Sequence, residues 1–140
     1  MKNNLRVFSL EEANSLLPQV ETLLQRVEGK RRAHESRHDQ HFMHELITEN
    51  EQRRGINSPA EDLPEEAARR LDNELEDMIV DVEAIRALGC VVRSLKRGWI
   101  DFAGQHNGEM IFFCWHRGEQ NISFYHPFKG PLTERLPLTT

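Results

Sequence analysis

The sequence predicts an α+β fold in which a long antiparallel α-helical hairpin, kinked at Pro18, precedes a small antiparallel β-sheet of three to four strands. Two observations support this prediction. Apolar residues recur every three or four positions between residues 68 and 85, which is typical of an amphipathic helix. Beyond Gly89, apolar and polar residues alternate instead, and Asn107-Gly108 is a dipeptide preferred in two-residue hairpin turns.

The chain has 140 residues, which is the size of one domain. Within that single domain we expect the helical hairpin over residues 9–89, with its turn near 51–63. We expect the sheet over residues 90–126 and an irregular tail over 127–140.

Charge and cysteine content narrow the possible partners. The net charge is −5, and residues 61–83 carry ten acids against two bases, so we expect no binding to nucleic acid or to anionic membranes, both of which need a basic face. The longest apolar run, Met110 to Trp115, is too short to span a bilayer. Two cysteines and no leader sequence indicate a cytoplasmic protein with reduced thiols.

The first helix is predicted to begin with a capping box, in which Ser9 and Glu12 bond each other's backbone amides. Pro18 then becomes the first residue of a long second segment. The apolar face of that segment continues as histidines at helical spacing, His34, His38 and His41. Imidazoles on one helix face suit zinc or nickel. The alternative is that they belong to a solvated, polar half of the helix.

The second helix shows the clearest period in the chain, with apolar residues at Ala68, Leu71, Leu75, Met78, Val82 and Ile85, and Gly89 ends it. Antiparallel packing then places the histidines opposite Glu74, Asp77 and Met78. A long helix on the order of 50 Å exceeds what one core of this size needs. We therefore expect a homodimer formed through the hairpin.

Counting from the Asn107-Gly108 turn sets the register of the sheet, so that Asp101 faces Cys114 and Phe102 faces Phe113. A four-residue turn over 116–119 then sets Cys114 against Asn121. One face becomes apolar, with Ile100, Phe102, Ile111, Phe113, Trp115, Ile122 and Phe124. The other face carries Trp99, Asp101, Phe112, Cys114, His116, Asn121, Ser123 and Tyr125.

Four sequence blocks resemble the uncharacterised prokaryotic domain-of-unknown-function family 2203. They are Phe8-Ser9 through Leu17-Pro18, Gly98-Trp99-Ile100-Asp101-Phe102, Cys114 through Glu119, and His126 followed by Gly130 and Arg135. The sequence departs from the family pattern at Arg93-Ser94, at Ala103 and around Pro131. The resemblance implies no activity; it implies that Asp101, Glu119, His126 and Arg135 are the recurring polar positions.

The candidate ligand or metal site therefore comprises Asp101, Cys114, His116, Glu119, His126 and Arg135. Trp99, Phe112 and Tyr125 are the candidate aromatic contact surface. Three chemistries fit these residue types: a thiol nucleophile with its base, a divalent metal site, and a structural hydrogen-bond network. Alternation places His126 on the apolar face, away from Asp101. The network is the interpretation we favour.

The predicted function is a non-enzymatic cytoplasmic binding or interaction module that dimerises through its helical hairpin. The alternative is a small metal-dependent enzyme, of a hydrolase-like kind, that uses the polar face of the sheet. A divalent metal is the cofactor that this alternative requires.

Overall fold

The structure is a computed structural model that describes residues 5–55, 64–129 and 134–138. Two helices precede a five-stranded antiparallel sheet, which confirms the α+β class with one strand more than predicted. The elements in chain order are α1 (Leu10–Arg53), α2 (Pro64–Ala87), β1 (Val91–Ser94), β2 (Trp99–His106), β3 (Glu109–His116), β4 (Phe124–Pro127) and β5 (Leu136–Pro137). Residue contacts divide the chain into a sheet unit, residues 1–25 and 82–140, and a hairpin unit, residues 26–81.

The first helix begins as predicted and continues further than predicted. The Ser9 amide donates to Glu12 Oε1 over 2.8 Å, and the Glu12 amide donates to Ser9 Oγ over 3.0 Å, so the capping box is present. Pro18 does not begin a new helix, because α1 is continuous through it. One missing N–H costs a single hydrogen bond, and the buried neighbours Leu17 and Val20 hold the helix on either side.

The second helix ends at Gly89, whose φ of 99° is the left-handed conformation that glycine adopts without strain. At the other end, α1 stops at Arg53, and the rest of the predicted turn, residues 56–63, lies outside the described residues.

The strands are ordered β1-β2-β3-β4-β5, each antiparallel to its neighbour. Asn107 and Gly108 have φ values of 53° and 81°, as a two-residue type I′ turn requires. That turn produces the predicted register, with Asp101 opposite Cys114 and Phe102 opposite Phe113. The predicted irregular tail contributes β5, which pairs Leu136 with Tyr125.

The predicted register between β3 and β4 is wrong. Cys114 faces Phe124 rather than Asn121, a displacement of three residues. Because side chains alternate, an odd displacement turns every residue of the strand to the opposite face. The loop is longer than a four-residue turn because the Asn14 side chain of α1 accepts a hydrogen bond from the Ile122 amide over 2.8 Å.

The core of the sheet unit lies between the apolar face of the sheet and the helix segments of the same unit. Its buried members from the helices and their flanks are Phe8, Ala13, Leu17, Val20, Leu24, Ile85 and Cys90, and those from the sheet region are Ile100, Phe102, Ile111, Phe113, Trp115 and Ile122. Phe8 and Phe102 meet edge to face, with ring centroids 5.3 Å apart. Tyr125, not Phe124, packs against this core, as the corrected register requires.

In the hairpin unit, the described parts of α1 and α2 run antiparallel, because Lys30 pairs with Asp81 while Arg37 pairs with Glu74 further along α1. Leu71 and Met78 are buried as predicted, but the exposed fraction of Leu75 is 49%. Acidic residues of α2 point inward in its place. Ion pairs therefore accompany these buried apolar side chains in the seam between the helices.

Candidate functional site

Asp101, Cys114 and His126 converge from three neighbouring strands on the face of the sheet opposite the core. Asp101 and Cys114 are cross-strand partners, and His126 follows on β4 opposite Phe112. One potential ligand atom from each of the three lies within 4.8 Å of the other two, and all three residues are buried. Within the part of the chain that the structure describes, this is the one such convergence of three His, Cys, Asp or Glu donors.

The prediction that His126 lies on the apolar face is wrong, for the reason already seen in the register of β4. The shift of three residues returns His126 to the face of Asp101. Its Nε2 lies 2.6 Å from Asp101 Oδ2, and both side chains have no exposed surface. His126, which the predicted register placed on the other face of the sheet, is therefore a direct partner of Asp101.

Asp101 is the acceptor at the centre of this face. Trp99 Nε1 donates to Oδ1 over 2.8 Å, and Arg93 Nε donates to Oδ2 over 2.8 Å. Burial of a carboxylate is costly unless it is paired and hydrogen-bonded, and Asp101 meets both conditions. The Arg93 guanidinium in turn lies 4.8 Å above the Phe112 ring.

His126 is enclosed by aromatic rings. The Phe112 ring lies 5.3 Å away, and Phe112 itself stacks on Phe128 with centroids 4.5 Å apart. The second ring nitrogen, Nδ1, lies 3.3 Å from the Pro127 carbonyl oxygen. Both ring nitrogens of His126 therefore face an oxygen that accepts hydrogen bonds.

Cys114 is a fully buried thiol. Burial raises its pKa to about 11, and the negative charge of Asp101 acts in the same direction. The thiol is thus protonated at neutral pH and has no exposed path to a substrate. These two properties oppose the nucleophile interpretation, which needs an accessible thiolate.

Glu119 and Arg135 form a second network that closes the loop between β3 and β4. Glu119 Oε1 accepts from the His116 amide over 2.7 Å and from Arg135 over 2.9 Å. Arg135 also lies 4.2 Å above the Phe124 ring. Burial lowers the pKa of His116, and the charge of Arg135 adds to this effect. The side chains of Glu119 and Arg135 are hence paired with each other, and His116 joins them through its backbone amide.

The candidate aromatic contact surface is divided between the two faces. Phe112 is buried beneath Phe128, and Trp99 is partly exposed with its indole committed to Asp101. Tyr125 lies on the core face, where its ring is 4.9 Å from that of His106. These three residues do not form one continuous surface.

The three histidines of the second candidate metal set, His34, His38 and His41, have different environments. His34 Nδ1 lies 3.5 Å from Glu74 Oε1, as the antiparallel arrangement predicted. His41 Nε2 pairs with Glu45 over 3.0 Å, while His38 is exposed. Their donor atoms do not join a third His, Cys, Asp or Glu donor among the described residues.

Arg93 is the member of the site that the sequence did not reveal. The sequence departs from the family pattern at this position, yet the Arg93 guanidinium supplies the charge that balances Asp101. An irregularity in the β1–β2 pairing between Val92 and Ser94 brings Arg93 there. An arginine in a strand that is antiparallel to one with a buried aspartate is the signal that was available.

The arrangement satisfies its own polar groups, which agrees with a structural network. It also holds a carboxylate, a thiol and an imidazole within reach of one point, which are ligand types that zinc accepts. A general acid–base role would require access for a substrate, and these three side chains are closed to solvent.

The comparisons with known proteins agree with the blocks described above. The family described as "Uncharacterized conserved protein (DUF2203)" matches residues 6–138, which is nearly the whole chain. No curated protein and no solved structure shows a significant match. None of the helices in the described segments is both long and apolar enough to cross a membrane. The chain belongs to the DUF2203 family of uncharacterised conserved proteins.

Proposed function

We propose that the protein is a non-enzymatic cytoplasmic interaction module that forms a homodimer through its hairpin unit. The observation that carries this proposal is the distribution of polar and apolar side chains in that unit. Ion pairs join the two helices beside the buried Leu71 and Met78, while seven large apolar side chains in the described part of the unit are exposed. A monomer in water gains nothing from this arrangement, whereas an assembly does.

The seam is held by ion pairs. Lys30 Nζ lies 2.6 Å from Asp81 and 3.0 Å from Asp77, and Arg37 pairs with Glu74. The side chain of Asp81 is only 5% exposed. Burying such charges costs free energy, and a buried ion pair often specifies how two helices align more than it stabilises their packing. The seam therefore sets how α1 and α2 pair but provides little apolar burial.

The apolar residues of the same unit lie outside. Their exposed fractions run from 46% for Leu46 to 64% for Val80, and the set comprises Phe42, Met43, Leu46, Ile47, Leu75, Ile79 and Val80. Leu75 and Ile79 are four residues apart on α2, as are Phe42 and Leu46 on α1, so each pair forms a patch on one helix face. Patches of this kind mark protein interfaces.

A second copy of the chain is the partner that the charges favour. Arg32 on α1 pairs with Glu28, but its side chain remains 76% exposed. The second helix, α2, carries exposed acids such as Asp72 and Glu76. A two-fold interface brings the same surface of each copy together, so a unit with one acidic helix and one helix rich in arginine is complementary to itself. The overall acidity of the unit disfavours nucleic acid as the partner.

The test is the mass in solution at micromolar concentration, measured by light scattering. We expect twice the chain mass of 16.4 kDa. The Leu75→Glu, Ile79→Glu double variant should be monomeric, because two buried charges would replace the apolar contact. Leu95→Glu is the matched control, since Leu95 is an exposed apolar residue of the sheet unit, and it should remain dimeric. A monomeric mass for the unmodified chain would overturn the proposal.

A further inference from the structure

We propose that Asp101, Cys114 and His126 together bind one zinc-like divalent cation inside the sheet unit. The proposal rests on the geometry of the cluster and on the chemistry of its three donors. The ion would be held by three protein donors that are all closed to solvent. It would lock β2, β3 and β4 together on the face opposite the core.

The orientation of His126 is the first reason. Its Nε2 lies 2.6 Å from Asp101 Oδ2 and its Nδ1 lies 3.3 Å from the Pro127 carbonyl oxygen. A neutral imidazole carries one ring proton, so it satisfies one of these two acceptors and turns a lone pair toward the other. A cation at Nε2 with the proton on Nδ1 satisfies both. That is the usual state of a metal-bound histidine, whose free N–H donates to a backbone carbonyl.

The position of Cys114 is the second reason. Its thiol is fully buried across from Asp101, and its sulfur is one of three potential ligand atoms that lie within 4.8 Å of one another. A metal ion uses such a sulfur as a ligand, because coordination removes the thiol proton outright.

The charge of the cluster changes by one unit on binding. Cys114 loses one proton to solvent and the ring proton of His126 passes to Nδ1. The neutral imidazole, the thiol, the carboxylate and the Arg93 guanidinium sum to zero before binding. The ion, the thiolate, the carboxylate and the guanidinium sum to one positive charge after it.

Binding requires one local adjustment. Zinc bonds of about 2.0–2.1 Å to nitrogen and oxygen in a tetrahedron hold two ligand atoms roughly 3.3 Å apart. Asp101 Oδ2 must therefore move away from His126 Nε2 by a fraction of an ångström. Trp99 holds the other oxygen, Oδ1, over 2.8 Å. Arg93 donates to Oδ2 itself over 2.8 Å, so this oxygen would keep one hydrogen bond while it binds the ion.

The first experiment titrates the full chain, purified without an affinity tag and stripped with a chelator, with Co²⁺ alone and with Zn²⁺ alone. We expect one ion per chain and, with Co²⁺, the near-ultraviolet absorption of a thiolate-to-cobalt bond. The chain has two cysteines, so the assignment is direct. Cys90→Ser should keep the absorption and Cys114→Ser should lose it, with zinc affinity lower by more than about 100-fold.

A matched pair of variants tests the histidine ligand. His126→Gln should weaken zinc binding as strongly as Cys114→Ser does, whereas His116→Gln should leave it within a few-fold of the unmodified chain. Retention of the absorption in Cys90→Ser assigns the sulfur to Cys114 even where the Cys114→Ser variant does not fold. No thiolate absorption in the unmodified chain, or cobalt binding that His38→Gln abolishes, would overturn the proposal.

Discussion

Asp101 is the residue on which the polar face of the sheet depends. Its carboxylate accepts from Trp99, Arg93 and His126, and no part of its side chain is exposed. Removing one partner of a buried charged network leaves the others desolvated and unpaired. Its contribution should therefore exceed that of any ion pair at the surface.

Asp101→Ala is accordingly expected to lower the free energy of unfolding by about 3–5 kcal/mol. The matched control is Glu21→Ala, which removes the partner of Arg117, a pair at 3.1 Å whose side chains are about one-third exposed. Solvent screens that pair, so its loss should cost about 0–1 kcal/mol. Urea unfolding in the presence of a chelator measures both without any metal contribution. Equal losses for the two variants would show that the Asp101 network adds no stability.

Single residues also explain what the sequence could not reveal about the site. Asp101 and Cys114 were placed together from one dipeptide, because Asn107-Gly108 sets the register of a hairpin locally. His126 was misplaced because its strand is positioned by the Asn14 side chain, which is remote in sequence. Local turn chemistry can be read from neighbouring residues, whereas a loop anchored by a distant helix cannot.

At the scale of elements, β2 packs closely against Phe8, which precedes α1. Phe8 donates its amide to the Ala103 carbonyl over 2.7 Å and pairs with Gly104 in a parallel bridge. Gly104 has no side chain to keep the Phe113 ring or the Phe8 backbone away. The glycine is thus needed for close approach and not for a special backbone angle.

Two glycine-to-alanine variants test this difference with opposite expected signs. In Gly104→Ala the added carbon would overlap the Phe113 ring and lie 2.8 Å from the Phe8 carbonyl oxygen, so we expect a loss of about 1–3 kcal/mol. Gly29 lies within α1 and an added carbon there meets nothing within 4 Å. Gly29→Ala should therefore stabilise the protein by roughly 0.5–1 kcal/mol. Thermal unfolding checks both, and a stabilised Gly104→Ala variant would contradict the tight packing.

The helices show a similar division between what the sequence reveals and what it does not. The period of α2 predicted both the helix and the burial of Leu71 and Met78. It also predicted a buried Leu75, which is wrong, because Glu74 and Asp81 face α1 instead. A hydrophobic period predicts that one face of a helix will be buried. It does not predict whether that face is buried by the same chain or by another one.

At the scale of the whole molecule, the hairpin unit is where we expect self-association to depend on pH. Residues 26–81 carry nine bases and fifteen acids, and they also hold four histidines, His34, His38, His41 and His44. Imidazoles in general take up protons between roughly pH 7.5 and 5.5. Added positive charge would offset part of the excess of acids, and His34 Nδ1 lies 3.5 Å from Glu74 Oε1.

Self-association should therefore tighten as the pH falls from 7.5 to 5.5. Glu74 does not cancel the effect, because the Arg37 guanidinium lowers the pKa of its carboxyl. A carboxyl whose pKa is lowered on folding is stabilising above its ordinary pKa, and this stabilisation is lost only as the pH falls through the lowered pKa. For Glu74 that loss occurs below about pH 5.5. The association constant, measured by sedimentation equilibrium in steps of about 0.5 pH unit across the window, reports the change. His34→Gln should flatten part of it, while His106→Gln, in the sheet unit, should leave it intact. An association constant that stays level from pH 7.5 to 5.5 in the unmodified chain would show that the histidines do not contribute to the interface.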